Sequence, residues 1–319
     1  MNELHVVFGA GQVGHPLAER LLAAGKRVRI ARRSSGHVPA GCETVLGDAA
    51  DTAFCISAAR GAAAVYHCMN PPYDHRIWAQ LLPRYMDNLI AAASAAGARL
   101  VVLDNVYMLG RPNGRPLSED TPMNPCSRKG EVRARVAERL FDAHRRGEVV
   151  ATAGRASDFY GPGGTQTGLG DFFWPRAFAN KTVYSPFALD AVHTYHYIPD
   201  VAAGLALLGS ADSDVYGRPW MLPCAPAVTL RELIARLRVT LGFPVKVAQI
   251  PRWLLKAAGL VTPIMRELDE MAYQWDEPFV VDDRRFRERF HAVPEDVEVA
   301  AAHTVAWARR HYQARRHYQ

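Results

Sequence analysis

Residues 4–14 read Leu4-His5-Val6-Val7-Phe8-Gly9-Ala10-Gly11-Gln12-Val13-Gly14, an apolar strand that runs straight into a glycine-rich turn. The spacing Gly9-x-Gly11-x-x-Gly14 puts glycine where the backbone turns sharply, where it must approach a ligand without a Cβ, and where a following helix packs on the strand. Downstream, Leu17, Ala18, Leu21 and Leu22 recur at helical spacing, Gly25 closes that helix, and Val28 and Ile30 alternate as a second strand. A helix entered in this way points its N-terminal N–H groups at phosphates. The stretch therefore reads as a dinucleotide-binding unit with Gly9, Gly11, Gln12, Val13 and Gly14 along the pyrophosphate. The plain alternative is an ordinary strand-to-helix turn.

The rest of the chain extends this start. Strands are expected near 4–8, 27–31, 43–46, 63–68, 99–104 and 149–154, with helices between them that include 76–96 and 128–146. Such alternation predicts an α/β fold, a Rossmann-type doubly wound parallel sheet with helices on both faces. Beyond residue 155 the rhythm breaks. Residues 156–194 are rich in Gly, Pro and aromatics, and 215–282 mix short strands with helices such as 229–241 and 251–273. The expected organisation is a dinucleotide-binding domain over 1–155, with a return segment near 195–212 introduced by Tyr197-Ile198-Pro199-Asp200-Val201-Ala202. Residues 156–319 are then mainly a smaller C-terminal substrate-binding domain at the edge where the strands end.

Composition narrows the partners. The 319 residues are 49% hydrophobic, as a globular chain should be, and carry a formal charge of +6. Basic residues are interleaved with acids except at Arg309, Arg310, Arg315 and Arg316, which read as a solvated helix end rather than a phosphate-binding patch. No nucleic-acid partner is expected. No apolar run approaches spanning length and no leader precedes the first strand, so a cytoplasmic protein with no membrane partner is expected. The five cysteines are scattered without a Cys-x-x-Cys, which argues against a disulfide framework or a zinc site. His193 and His196 lie near Asp190 but lack a third ligand at fitting spacing; no metal is expected, and they read as packing against the returning strand. The repeated His-Tyr-Gln at 311–313 and 317–319 is too short to be a structural repeat. A small-molecule substrate is the expected partner, and homodimerisation stays open.

The second strand bears on cofactor choice. A carboxylate about 20 residues beyond the glycines accepts hydrogen bonds from the ribose of NAD, but here the strand ends Ala31-Arg32-Arg33-Ser34-Ser35. Two guanidinium groups suit a 2′-phosphate, which arginine grips bidentately. NADP(H) is therefore expected over NAD(H), with Arg32 and Arg33 on the phosphate; the alternative is a pair of solvated loop arginines. Asp48, in Gly47-Asp48 after the third strand, is placed either for the adenine edge or simply as a turn former.

Taken with Val65-Tyr66-His67, Asn88, Arg155-Ala156-Ser157-Asp158-Phe159-Tyr160-Gly161-Pro162-Gly163 and residues 197–202, these features resemble the extended short-chain dehydrogenase/reductase family, which includes NAD-dependent epimerases and dehydratases. The resemblance covers nearly the whole chain and implies hydride chemistry on a nicotinamide cofactor. It also implies a Ser or Thr at the end of the fifth strand and a Tyr-x-x-x-Lys on the next helix. Here the strand ends Leu103-Asp104-Asn105-Val106-Tyr107, and the helix offers Lys129-Gly130-Glu131-Val132-Arg133. The chain resembles an atypical member lacking Tyr-x-x-x-Lys. Asn70, in a loop expected beside the nicotinamide, and Ser157, after the sixth strand, are further cofactor candidates.

Helical geometry keeps the replaced positions in view. With Val132 at zero and 100° per residue, Val136, Lys129, Leu140 and Arg133 fall at about 40°, 60°, 80° and 100°, on one inward stripe. Charges there need partners: a cofactor or substrate oxygen, or an internal carboxylate. Asn105 and Tyr107, two apart on an extended segment, share a side, and Tyr107 is either a proton donor or a core tyrosine. The aromatics Phe172, Phe173, Trp174, Trp253, Tyr273 and Trp275 either line a substrate pocket or pack a core.

The catalytic candidates are therefore Asn105, Tyr107, Lys129 and Arg133. The expected activity is NADP(H)-dependent reduction of a small-molecule carbonyl without the Tyr–Lys pair. The alternatives are a nucleotide-sugar epimerase or dehydratase, and a non-catalytic dinucleotide-sensing protein.

Overall fold

All five side chains of β1 (Leu4–Phe8) are buried, which is what a strand covered on both faces requires. The computed structural model describes residues 2–313. In it β1 lies between β2 (Arg27–Arg32) and β4 (Ala62–His67), parallel to both. With β3 (Glu43–Leu46), β5 (Arg99–Asp104), β6 (Val150–Arg155) and a last strand, Pro219–Met221, they form a seven-stranded parallel sheet. Its order is Pro219–Met221, β6, β5, β4, β1, β2, β3. The expected strands all form, and the sheet is the Rossmann-type α/β fold expected. The order reverses between β1 and β4, the switch point beside which such sheets bind ligands.

Alternation along the strands decides which helix covers which face. Val6, Phe8, Val65, Leu100 and Val102 pack with α2 (Thr52–Ala59), α3 (His75–Ala96) and α4 (Arg128–Arg145). Val7, Ile30, Ala64 and Val101 face the other way, onto α1 (Gly14–Ala23) and the helix Ile198–Gly209. Local chemistry starts and stops these helices. Asp51, Asp74 and Ser127 cap α2, α3 and α4 through their side-chain oxygens, and α3 ends at Gly97 in the left-handed region.

One later segment differs from expectation. A single helix over 251–273 does not form. Pro263 forces Thr262 into extended backbone, splitting the segment into Arg252–Gly259 and Pro263–Met271. Residues 195–197 make a strand pairing with Asp158–Tyr160, after which Ile198–Gly209 crosses to pack against α1. His193 and His196 are fully buried in this region.

In the tail, Arg309 donates to the carbonyls of Thr240 and Leu241 at the end of the helix Leu230–Leu241, a capping contact. Arg315, Arg316 and the second His-Tyr-Gln lie outside the described residues. All five cysteines are free. No helix of the described residues is long and apolar enough to cross a membrane.

Candidate active site

The glycine loop shows a separate reason for each glycine. Gly9 has φ +98°, and a Cβ there would meet Met69 Cγ at 2.8 Å. A Cβ on Gly14 would lie 1.8 Å from the Gly9 carbonyl oxygen, so only glycine lets α1 pack this close to the turn. Around Gly11 nothing lies within 4 Å, leaving its backbone open to a ligand. Val13 starts α1 without a side-chain cap, and Gln12 Oε1 is buried without a hydrogen-bond partner. Gly163 approaches the same loop, its ideal Cβ 3.8 Å from Gln12 O. These are the features of an anion cradle.

Arg32 and Arg33 stand at the end of β2. The Arg32 guanidinium folds over the next turn and donates to His37 O at 3.1 Å. Among the described residues no carboxylate pairs with either arginine. Asp48 is exposed and accepts from Ala50 N at 2.9 Å, an Asx turn, so its turn-forming role is realised.

The helix positions that replace Tyr-x-x-x-Lys are both buried and both engaged. Lys129 Nζ donates to Glu267 Oε2 at 2.5 Å, Glu270 Oε2 at 2.7 Å and Glu267 O at 3.1 Å, and stands 4.8 Å from the centre of the Tyr73 ring. An ammonium has three protons, and all three are used. An alkoxide-stabilising Lys129 would need a free proton, so that role does not fit this arrangement; of the two kinds of partner open to the inward charge, an internal carboxylate is the one present. Arg133 donates to Asn70 Oδ1 at 2.8 Å, faces Asp104 Oδ1 at 3.5 Å and lies 4.8 Å over Trp78, while its Nε is buried without a partner. Asn70 is thereby joined to Arg133, and Arg155 flanks Asp104 from the other side at 3.6 Å.

Asn105 and Tyr107 are not held by strand alternation. β5 ends at Asp104, Val106 takes ψ 11°, and Tyr107 opens a short 3-10 turn in which Asn105 Oδ1 accepts from Tyr107 N at 3.0 Å. The Asn105 amide NH2 makes no hydrogen bond among the described residues. Tyr107 stacks on Trp78, and its hydroxyl is 3.4 Å from that of Tyr73. Burial, and next the nearby Asp158 charge, push the Tyr107 phenol well above its ordinary value. The phenol therefore keeps its proton through the ordinary pH range.

Ser157 is enclosed. Its hydroxyl donates to Thr194 O and lies 3.0 Å from His196 Nδ1, which also accepts from Ser157 N at 3.1 Å. Burial lowers the His196 pKa to about 4, in keeping with a neutral ring whose other nitrogen donates to Leu222 O.

Sequence reasoning missed several neighbours. Asp158, partly exposed, accepts from His193 at 2.8 Å. It lies inside the quoted 155–163 stretch, where its position just past β6 was an available signal. Glu267 and Glu270, at helical i and i+3, come from a segment too distant in sequence to be matched to Lys129. His75 donates from its ring and backbone to Glu267 at 2.7 and 3.1 Å. Asp74, His75 and Glu267 bring three metal-type ligand atoms together, but Lys129 occupies the same carboxylate. The six aromatics do not form one cluster. Phe173 and Trp174 are core, Tyr273 and Trp275 are buried, and Phe172 and Trp253 are exposed.

The comparisons agree with this fold. The profile of the NAD-dependent epimerase/dehydratase family matches residues 5–219. A 3-diazoavenalumate denitrifying reductase from a Streptomyces species is 33% identical over 130 residues, which are 37% of this chain and 43% of the relative, so the match spans less than half of that enzyme. The UDP-glucuronic acid 4-epimerase of Bacillus cereus, solved with NAD, superimposes with a TM-score of 0.77 at 13% identity, over 97% of this chain and 99% of the other. The Bordetella bronchiseptica enzyme WbmH, solved with NAD+, gives 0.76 at 18% identity, over 98% and 100%. The family and the reductase relative support an enzyme of oxidoreductase or epimerase type. From its glycine loop, its parallel sheet and the profile that spans them, the chain belongs to the NAD-dependent epimerase/dehydratase family.

Proposed function

We propose that the chain reduces a small-molecule carbonyl with NADP(H), by a mechanism that does not use a Tyr–Lys pair. The observation that carries this reading is that Tyr107 is partly buried, stacked on Trp78 with its hydroxyl beside that of Tyr73, while the protons of Lys129 are all spent internally. Oxidising a sugar hydroxyl, the first step of an epimerase or dehydratase, needs a base. Reduction needs a donor for the oxygen that becomes an alkoxide, and Tyr107 is a donor.

The cradle fits a dinucleotide: open space at Gly11, close packing at Gly14 and an uncapped α1 start. Gly9, Gly11, Gln12, Val13 and Gly14 would hold the pyrophosphate, Arg32 and Arg33 a 2′-phosphate, Asp48 the adenine side, and Asn70 with Arg133 the nicotinamide side. When bound, the cofactor supplies a hydride. The Asn105 NH2 holds the substrate oxygen, Tyr107 passes it a proton, and Trp78 and Tyr73 keep the Tyr107 ring packed. Lys129 positions Tyr73.

A second reading is favoured by the missing Tyr–Lys pair together with the named substrate of the reductase relative. If the acceptor were an aryl diazonium, hydride would form the new C–H bond, the C–N bond would break, and dinitrogen would leave with its electron pair. No alkoxide forms, so no proton donor is required.

Stereospecific deuteride transfer from labelled NADPH, over ketones, quinones, sugar nucleotides and an aryl diazonium, tests these readings. Label in an alcohol product supports carbonyl reduction, and label in a dediazotised arene supports the second reading. Cofactor binding of ordinary affinity with no turnover on any of them would leave a dinucleotide sensor.

A further inference from the structure

Residues 251–271 carry Arg252, Lys256 and Arg266, and the three acids among them, Glu267, Asp269 and Glu270, are each paired with a basic side chain. They run through the helix Arg252–Gly259 and a turn into the helix Pro263–Met271. The two helices meet at Gly259, where an added Cβ would lie 3.2 Å from Arg266 Cα. Their inner side is held by buried Leu255 and Met271 and by Glu267 on Lys129.

The outer side is apolar. Leu260 and Val261 in the turn are 85% and 83% exposed, Trp253 is 70% exposed, and Leu254 and Ile264 are exposed beside them in the hairpin. Other exposed apolar side chains, such as Phe172, Val239 and Val293, stand singly along the sequence. Single ones are ordinary; five exposed within the twelve residues 253–264 point to an interaction surface. Among the described residues Lys256 and Arg266 have no acidic partner, whereas Arg252 is paired with Asp269 and Asp276.

We propose that this hairpin docks the protein on an anionic phospholipid surface. Leu260 and Val261 enter the acyl boundary, Trp253 sits at headgroup level, and Lys256 and Arg266 reach the phosphates along their apolar stems. Charge selects this occupant. A twofold contact between copies of the chain through the same turn would bring Lys256 and Arg266 against their own counterparts, whereas an anionic bilayer offers the opposite sign. Surface docking needs only a few side chains in the interface. The lack of an apolar run of spanning length, from which no membrane partner was expected, does not bear on it, nor does the fact that no helix of the described residues could cross a membrane.

The test uses the full chain in flotation assays with vesicles of phosphatidylcholine alone or with phosphatidylglycerol, and sedimentation of the free protein alongside. The wild type is expected to float with the anionic vesicles and less so in high salt. Leu260→Asp with Val261→Asp, two positions too exposed to disturb the core, should weaken flotation at least about tenfold. Val239→Asp with Val293→Asp, equally exposed elsewhere, should float like the wild type. The proposal fails if the wild type does not float or if the hairpin variant floats equally well. It also fails if the wild type self-associates and the hairpin variant abolishes that association instead, which would assign the surface to contact between copies.

Discussion

Nζ of Lys129 lies 2.5 Å from Oε2 of Glu267, a contact that spans 138 residues of chain and ties the start of α4 to the helix Pro263–Met271. Removing the ammonium strands two carboxylates, one of them buried. Lys129→Met should therefore cost about 3–5 kcal/mol of stability, read as a lower urea midpoint. Lys129→Met combined with Glu267→Gln should recover part of that loss, because the buried charge goes with its partner. Unchanged stability in the single variant would mean that the contact does not form.

The same pair has a pH signature. Burial raises the Glu267 pKa, but hydrogen bonds from Lys129 and His75 outweigh it and hold the carboxyl below its ordinary 4.5. A depressed folded value contributes stability that is complete above 4.5 and is lost as pH falls through the folded value. Urea midpoints measured from pH 7 to pH 3 should fall more steeply in the wild type than in Glu267→Gln. Parallel curves would count against the coupling.

Gly11 and Gly14 should separate binding from folding. Gly11→Ala adds a methyl into open space, so its melting temperature should stay close to the wild type while dinucleotide affinity drops about tenfold or more. Gly14→Ala drives a methyl into the Gly9 carbonyl and should lower both. If Gly11→Ala binds dinucleotide normally, the cradle is not where the pyrophosphate lies.

Cofactor choice is tested by titrating NADPH and NADH against the wild type and Arg32→Ala with Arg33→Ala. The wild type should prefer NADPH, and the double variant should lose about tenfold or more of NADPH affinity with little change for NADH. Tighter NADH binding by the wild type would remove the arginines from this role.

Tyr107→Phe should lower kcat for carbonyl reduction by about a hundredfold with little change in dinucleotide affinity. Because the phenol is raised above its ordinary 10.0, its donor form persists as pH climbs. The wild-type rate should show no loss below pH 10 assignable to this group. Full activity in Tyr107→Phe would favour a substrate that needs no enzymic proton, as the diazonium reading does.

The sheet was legible because its strands are local signals: an apolar run such as 4–8, bounded by glycine, can hardly be anything else. The inward stripe of α4 was equally legible, since 3.6-residue periodicity puts Lys129 and Arg133 beside Val132 and Leu140 whatever the tertiary structure. Which partner answers Lys129 was not. That depends on folding a segment more than a hundred residues away back onto α4, and no local pattern in Glu267 or Glu270 encodes it. Asn105 and Tyr107 show a subtler limit. Alternation applies only while the strand lasts, and β5 ends one residue before Asn105.

The strand Pro219–Met221 pairs with β6, and Ile198–Gly209 closes the face shared with α1. During synthesis, then, the cradle emerges from the ribosome before the segments that cover it and cannot be sealed until the chain has been extended past Met221. Until that moment β6 is an unprotected edge, and Leu17 and Leu21 lack part of their cover. A nascent chain stalled near residue 155 would present both to its neighbours, which makes that interval the point in the protein's life when a chaperone has most to bind.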